Sequence, residues 1–156
     1  MSFSVSYTTR DPRGQEEDGV HYHFTKMEVF EKMIEEDGFI EHANVHGKMY
    51  GTAVKELDRI KGEKSIPLLD IDVQGAQSVH NRNIDSVYIF VLPTDSEDID
   101  KIKEVLKSRL EGRGTENEEQ INKRLTGAVS EVEAYKNASF FNYTIVNDDI
   151  EVSHFV

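Results

Sequence analysis

Two apolar runs constrain what this chain can fold into more than any other feature. Ile66-Pro67-Leu68-Leu69-Asp70-Ile71-Asp72 ends in carboxylates, and Val87-Tyr88-Ile89-Phe90-Val91-Leu92 is closed by Pro93. Short continuous apolar runs of this kind suit strands buried on both faces of a parallel sheet. Parallel strands need a crossover between them, and a short helix is expected at about residues 74–81. The opening Phe3-Ser4-Val5-Ser6-Tyr7-Thr8 alternates apolar and polar residues, the pattern of a further strand, and runs into a Pro/Gly turn over 9–14.

Helical periodicity fills most of the rest. Met27, Phe30, Met33 and Ile34 predict a helix over 26–37, with Thr25 and Glu28 at capping-box spacing and Gly38 as its stop. A short strand at 20–24 precedes it. Two short strands over 39–52 flank the turn at His46-Gly47-Lys48, and a helix at about 53–61 ends at Gly62. Ile99, Ile102, Leu106 and Leu110 share a helical face, then Gly112 and Gly114 break the pattern. A long helix is expected over 118–137, carrying Ile121, Leu125, Val129 and Val132, and a strand over 141–146. Alternating strands and helices without repeat or linker predict one domain over 1–156: a three-layer α/β fold with a mostly parallel sheet.

Composition narrows the function. The 156 residues hold 18 Lys+Arg against 30 Asp+Glu, a net charge of −12, which argues against nonspecific binding to nucleic acid or anionic membranes. With no Cys, disulfides, thiolate metal sites and a Cys nucleophile are excluded. No apolar run approaches the roughly 18 residues of a membrane span, and no signal peptide is recognisable, so a soluble cytoplasmic protein is expected.

Against that acidic background, Arg10 and Arg13 flank the first turn, with Ser6, Thr8 and Thr9 upstream. They form either an anion site of guanidinium forks and hydroxyls or a solvated basic turn. Glu41, Thr52 and Asp72 stand at or near strand ends, where carboxylates could accept the N1 and N2 donors of guanine and reject adenine. Asp70 and Asp72 could organise Mg²⁺ through water, or mark a strand end meeting solvent. Arg109, Arg113 and Arg124 bracket the Gly112/Gly114 break, as lid residues neutralising a phosphoryl group or as exposed arginines paired with Glu116, Glu118 and Glu119. His21 with His23, and His42 with His46, lack a third ligand for metal.

These pieces together resemble guanylate kinase, a nucleoside-monophosphate kinase family. The matching residues run from Ser6-Tyr7-Thr8-Thr9-Arg10-Asp11-Pro12-Arg13 and Gly19-Val20-His21-Tyr22-His23-Phe24 through Phe39-Ile40-Glu41 and Tyr50-Gly51-Thr52. They continue through Leu68-Leu69-Asp70-Ile71-Asp72-Val73-Gln74-Gly75 and Arg109-Leu110-Glu111-Gly112-Arg113-Gly114-Thr115-Glu116 to Ile121-Asn122-Lys123-Arg124 and Ile145-Val146-Asn147-Asp148-Asp149. The resemblance implies ATP-dependent phosphorylation of GMP with Mg²⁺. It implies that Ser6, Arg10, Arg13, Tyr22 and Tyr50 hold the GMP phosphate, and that Glu41, Thr52 and Asp72 read guanine. Asp70 would lie near the metal, acting through water; Arg109, Arg113 and Arg124 would stabilise the transferring group; Asn147 would lie near adenine. A small mixed-β GMP subdomain at about 11–66 and a helical lid at about 109–124 follow from the same likeness.

The sequence departs from the family at the donor side. No Gly-x-x-x-x-Gly-Lys-Ser/Thr phosphate loop occurs in it, and the family's first, central strand and closing helix have no counterpart. The expectation is therefore a chain incomplete on the ATP side and inactive alone. The competing expectations are a non-catalytic module that binds GMP or a phosphorylated peptide, with a protein partner, and a fragment of low stability.

Overall fold

The structure, a computed structural model, describes residues 1–96, 98–114 and 117–148. The chain divides into two compact units, Met1–Ile84 and Asp85–Val156. No helix among the described residues is long and apolar enough to cross a membrane.

In the first unit the opening segment is not one strand but two, serving different sheets. β1 (Ser2–Phe3) pairs in parallel with β6 (Pro67–Leu68), whereas β2 (Tyr7–Thr8) joins a four-stranded mixed sheet. That sheet runs in the order β3 (His23–Phe24), β2, β5 (Lys48–Ala53), β4 (Phe39–Val45). Between the two ladders Ser4 N–H still donates to Leu68 O at 2.9 Å and Ser6 O already accepts from His23 N at 2.9 Å. Val5 N–H belongs to neither and donates to Glu56 Oε1 at 3.2 Å, so a buried carboxylate satisfies the crossing point. Arg59, whose side chain bonds both Glu56 oxygens, holds that carboxyl below its ordinary range.

α1 (Met27–Glu35) covers one face of the mixed sheet. Phe30 stacks on Phe39 with ring centroids 4.4 Å apart, and Ala53, Tyr7, Met33, Ile34 and Met49 close the cluster. The expected capping box does not form: α1 starts after Lys26 with no side-chain cap, and Thr25 N–H donates to Thr8 O instead, extending the sheet. The left-handed residue at the helix exit is Asp37, with φ of 53°, rather than Gly38. α2 (Val54–Gly62) follows β5 directly, and α3 (Val73–Asn81) follows β6 and packs on β4.

The second unit pairs β7 (Ile89–Leu92) in parallel with β8 (Tyr143–Val146). α4 (Ile99–Arg113) and α5 (Glu118–Asn137) bury Ile102, Leu110, Ile121 and Val132, while Phe90 stacks on Tyr135 at 4.0 Å. Gly112 does not break α4, which runs on to Arg113; only Gly114, with φ of 63°, ends it. Asn117 and Gln120 form a full capping box at the start of α5.

The α/β class is as expected, but burial of the parallel strands is not. Phe3 and Leu68 are exposed in one ladder, and Ile89, Val91 and Tyr143 in the other. A ladder of two strands has a neighbour on one side only, so its second edge and part of its face stay open.

Candidate functional site

The mixed sheet has two chemically distinct faces because strand side chains alternate. Along β5, Met49, Gly51 and Ala53 turn to the phenylalanine cluster, so Tyr50 and Thr52 take the other side. Register then sorts their neighbours: Thr8 lies opposite Tyr50, and Glu41 opposite Thr52. The register shift between Phe39 and Glu41 lets Phe39 serve the core while Glu41 serves the far face.

At the Tyr50 end stands Arg10, only 9% exposed. Its backbone N–H donates to Thr8 Oγ1 at 3.2 Å, and its guanidinium lies 5.2 Å from the Tyr22 ring centroid and 5.7 Å from that of Phe24. Tyr22 and Tyr50 meet edge to face at 6.0 Å. Glu16 closes the turn from outside. Its oxygens accept from Arg10 Nη1 at 2.8 Å and Nη2 at 3.0 Å, and Oε2 also accepts from Arg13 N at 2.7 Å. The Arg10 bonds and the Arg13 amide hold the Glu16 carboxyl down at about 2, and Arg10 is raised in return. Arg10 Nε is buried with no hydrogen-bond partner. Burial foremost, with the nearby Tyr50, Asp70 and Glu16 charges, raises the Tyr22 phenol, and Arg10 opposes that. The Arg13 side chain is exposed, and Ser6 is half-buried at the edge of β2.

At the other end Glu41 and Thr52 are buried, and Thr52 N–H donates to Glu41 Oε1 at 2.8 Å. Burial pushes the Glu41 carboxyl up; the nearness of Thr52 draws it back, and the negative Asp72 adds to the rise. The Thr52 hydroxyl is buried without a well-aligned partner. Asp72 is the N-cap of α3, its Oδ1 accepting from Gly75 N at 2.7 Å. Asp70 is exposed on the segment between β6 and α3.

The second unit carries the remaining candidates. Arg109 Nη2 donates to Pro93 O at 3.1 Å, Asn147 O at 2.6 Å and, weakly, Asp148 O at 3.4 Å, tying α4 to the ends of both strands. Arg113 is the exposed last residue of α4, and Arg124 is half-buried on α5. Asn147 follows β8, its N–H donating to Leu92 O at 2.8 Å. Thr115, Glu116 and Asp149, which belong to the resembling motifs, lie outside the described residues.

A family model described as guanylate kinase matches residues 1–154. The chain belongs to the guanylate kinase family. It is 45% identical over 154 residues to guanylate kinase 1 of Oryza sativa, and 41% identical to the guanylate kinase of Schizosaccharomyces pombe. These alignments cover 99% of the chain, with 38% of the rice protein and 73% of the yeast one. The crystal structure of guanylate kinase from Anaplasma phagocytophilum superposes with a TM-score of 0.72 at 31% identity, over 97% of this chain and 69% of that one. This guanylate kinase relative thus spans about two fifths of its plant counterparts.

Within the first unit, the structure gathers Arg10, Tyr22 and Tyr50 into one cluster and Glu41, Thr52 and Asp72 into a second. Arg13 reaches the first through its backbone. One residue of the arginine–tyrosine cluster, Glu16, escaped the sequence reading. Glu16 carried a usable signal, a carboxylate three residues after Arg13 in a basic turn. Gly75 closes the Asp72-Val73-Gln74-Gly75 stretch that carries the resemblance, but only the packed sheet shows what stands against it.

Proposed function

We propose that the chain binds GMP and supplies the acceptor side of phosphoryl transfer from ATP to GMP, giving ADP and GDP. The observation that supports this most is the shared face of β5. Tyr50 and Thr52 are two residues apart, so the arginine–tyrosine cluster and the paired carboxylates are ends of one surface roughly 7 Å apart along the strand. A nucleoside monophosphate has matching ends. Arg10, with Arg13, Ser6, Tyr22 and Tyr50, would take the phosphate; the unpartnered Arg10 Nε is a donor for it. Glu41 and Asp72 would accept the guanine N1 and N2 protons beside Thr52, and adenine, lacking those donors, would leave both carboxylates unpaired.

Catalysis in this reading is positioning plus charge neutralisation, with no covalent intermediate. Arg113 and Arg124 would face the transferring group. Arg109 would act beside them while its Nη2 holds carbonyls, and Asn147 would border adenine. Among the described residues no group of three or more His, Asp or Glu is placed to hold a metal ion. The exposed Asp70 carboxylate would hold Mg²⁺ through water, the other contacts of the ion coming from phosphate oxygens and water. The ion would neutralise phosphate charge.

Calorimetric titration with GMP and AMP, together with an ADP-release assay with ATP, tests the reading. GMP binding with no measurable AMP binding is expected. Equal affinity for both, or tighter binding of a phosphopeptide than of GMP, would overturn it.

A further inference from the structure

We propose that Gly75 is a positioning residue for base recognition: the lack of a side chain there lets the Glu41 carboxylate stand against the first turn of α3. The proposal rests on the GMP reading and says how the base end of that site is held open.

A Cβ built on Gly75 would fall 2.7 Å from Glu41 Oε2, 3.3 Å from Glu41 Cδ and 3.3 Å from Asp72 Oδ1. The first distance is closer than side-chain carbons approach, so something has to shift. The helix is not free to yield, because Gly75 N–H donates to Asp72 Oδ1 at 2.7 Å and Ala76 N–H to Asp72 O at 2.9 Å. Strand β4 is set by its ladder with β5. Displacement therefore falls on the Glu41 side chain, which can turn about its Oε1 bond to Thr52 N.

No backbone requirement explains this glycine. Its φ is not in the left-handed region, unlike that of Gly14, Gly19, Gly47 and Gly114. In a helix alanine is the better residue by propensity. Two further helical glycines, Gly62 and Gly112, have nothing within 4 Å of such a Cβ. At Gly75, by contrast, the helix presses on a buried carboxylate.

The arrangement has a direct consequence for recognition. Glu41 Oε1 and Asp72 Oδ1 are each taken by a backbone N–H. Recognition of guanine then depends on Glu41 Oε2 and Asp72 Oδ2. Glu41 Oε2 is the atom that a methyl group at position 75 would strike.

The test uses the full chain with Gly75→Ala, Glu41→Ala and the double variant, measured by calorimetry with GMP, IMP and AMP and by thermal melting. Gly75→Ala is expected to melt no lower than the unsubstituted chain, yet to bind GMP about ten- to a hundredfold more weakly. Its preference for GMP over IMP, which lacks the N2 donors, should shrink. In the Glu41→Ala background, where the phosphate contacts still give measurable binding, Gly75→Ala should change GMP affinity by less than about twofold. Wild-type GMP affinity in Gly75→Ala, or an equal loss in both backgrounds, overturns the proposal. Should Gly75→Ala lower the melting temperature, recovery in the double variant supports the steric conflict and no recovery refutes it. Failure of the unsubstituted chain to bind GMP is a separate result: it overturns the functional reading and the base-recognition role of Gly75 with it.

Discussion

Glu16 holds Arg10 at two points, its oxygens 2.8 and 3.0 Å from the two Nη atoms, while the same carboxylate accepts from the Arg13 amide at 2.7 Å. One side chain thus orients the fork of an arginine and shapes the turn that carries the next. Glu16→Ala leaves a guanidinium only 9% exposed without its anion. We expect a stability loss of about 1–3 kcal/mol in urea unfolding, partly restored by inorganic phosphate. An unchanged midpoint with no response to phosphate would contradict this.

The same residue predicts an acid limb. Its folded carboxyl lies at about 2, against roughly 4.3 for an ordinary Glu. The unfolded chain therefore binds the proton first, and the contribution of this pair is complete above about pH 5 and lost as pH falls towards 2. A pH series of urea melts should show a shallower slope in that window for Glu16→Gln than for the unsubstituted chain.

Glu41 has the opposite sign. Burial raises its folded carboxyl, so the folded state takes up the proton more readily and stability falls as pH rises from about 4 through the raised value. Glu41→Gln keeps an acceptor for Thr52 N–H and removes the buried charge. At pH 7 it should be at least as stable as the unsubstituted chain, with the difference fading below about pH 4. Its GMP affinity should drop about tenfold or more. A clearly destabilised Glu41→Gln at neutral pH would show that the ionised carboxylate is net favourable there.

Gly51 and Gly75 should respond differently to the same substitution. A Cβ on Gly51 would fall 2.9 Å from Phe39 Cδ1 and 3.1 Å from both Phe30 Cζ and Glu41 O. Rings packed in a core cannot swing aside as the end of a carboxylate can. Gly51→Ala should cost about 1–3 kcal/mol by thermal or urea melting. Equal stability of Gly51→Ala and the unsubstituted chain would mean that the Phe30–Phe39 stack can move.

Arg109 is expected to act on stability. Its Nη2 reaches carbonyls at the ends of both strands of the second unit, a geometry that the ammonium of lysine does not reproduce. Arg109→Lys should lower the melting temperature and raise amide exchange at Asn147, whereas Arg113→Lys, altering an exposed helix end, should leave melting within experimental error. Indistinguishable melting curves for the two variants would argue against a structural role for Arg109.

Most of the helices were legible in the sequence because amphipathic periodicity is local; α5 occupies Glu118–Asn137, as its pattern predicts. Ends and caps were less legible. Thr25 has the right spacing for a capping box, yet its N–H is taken by Thr8 O, a partner seventeen positions away that local pattern cannot register. For the same reason Phe3 to Thr8 reads as one strand: alternation continues through Val5 although the pairing partner changes there.

By itself the sequence determined the α/β class, the family and the residue types of the candidate site, because motif order and periodicity are properties of neighbouring residues. Only the tertiary structure decided which of those residues stand together. Sheet register sets Glu41 against Thr52, the turn closed by Glu16 sets the direction of Arg10, and the packing of α3 on β4 brings Gly75 against Glu41. Each is a contact across tens of residues or around a turn, set by hydrogen-bond register and excluded volume.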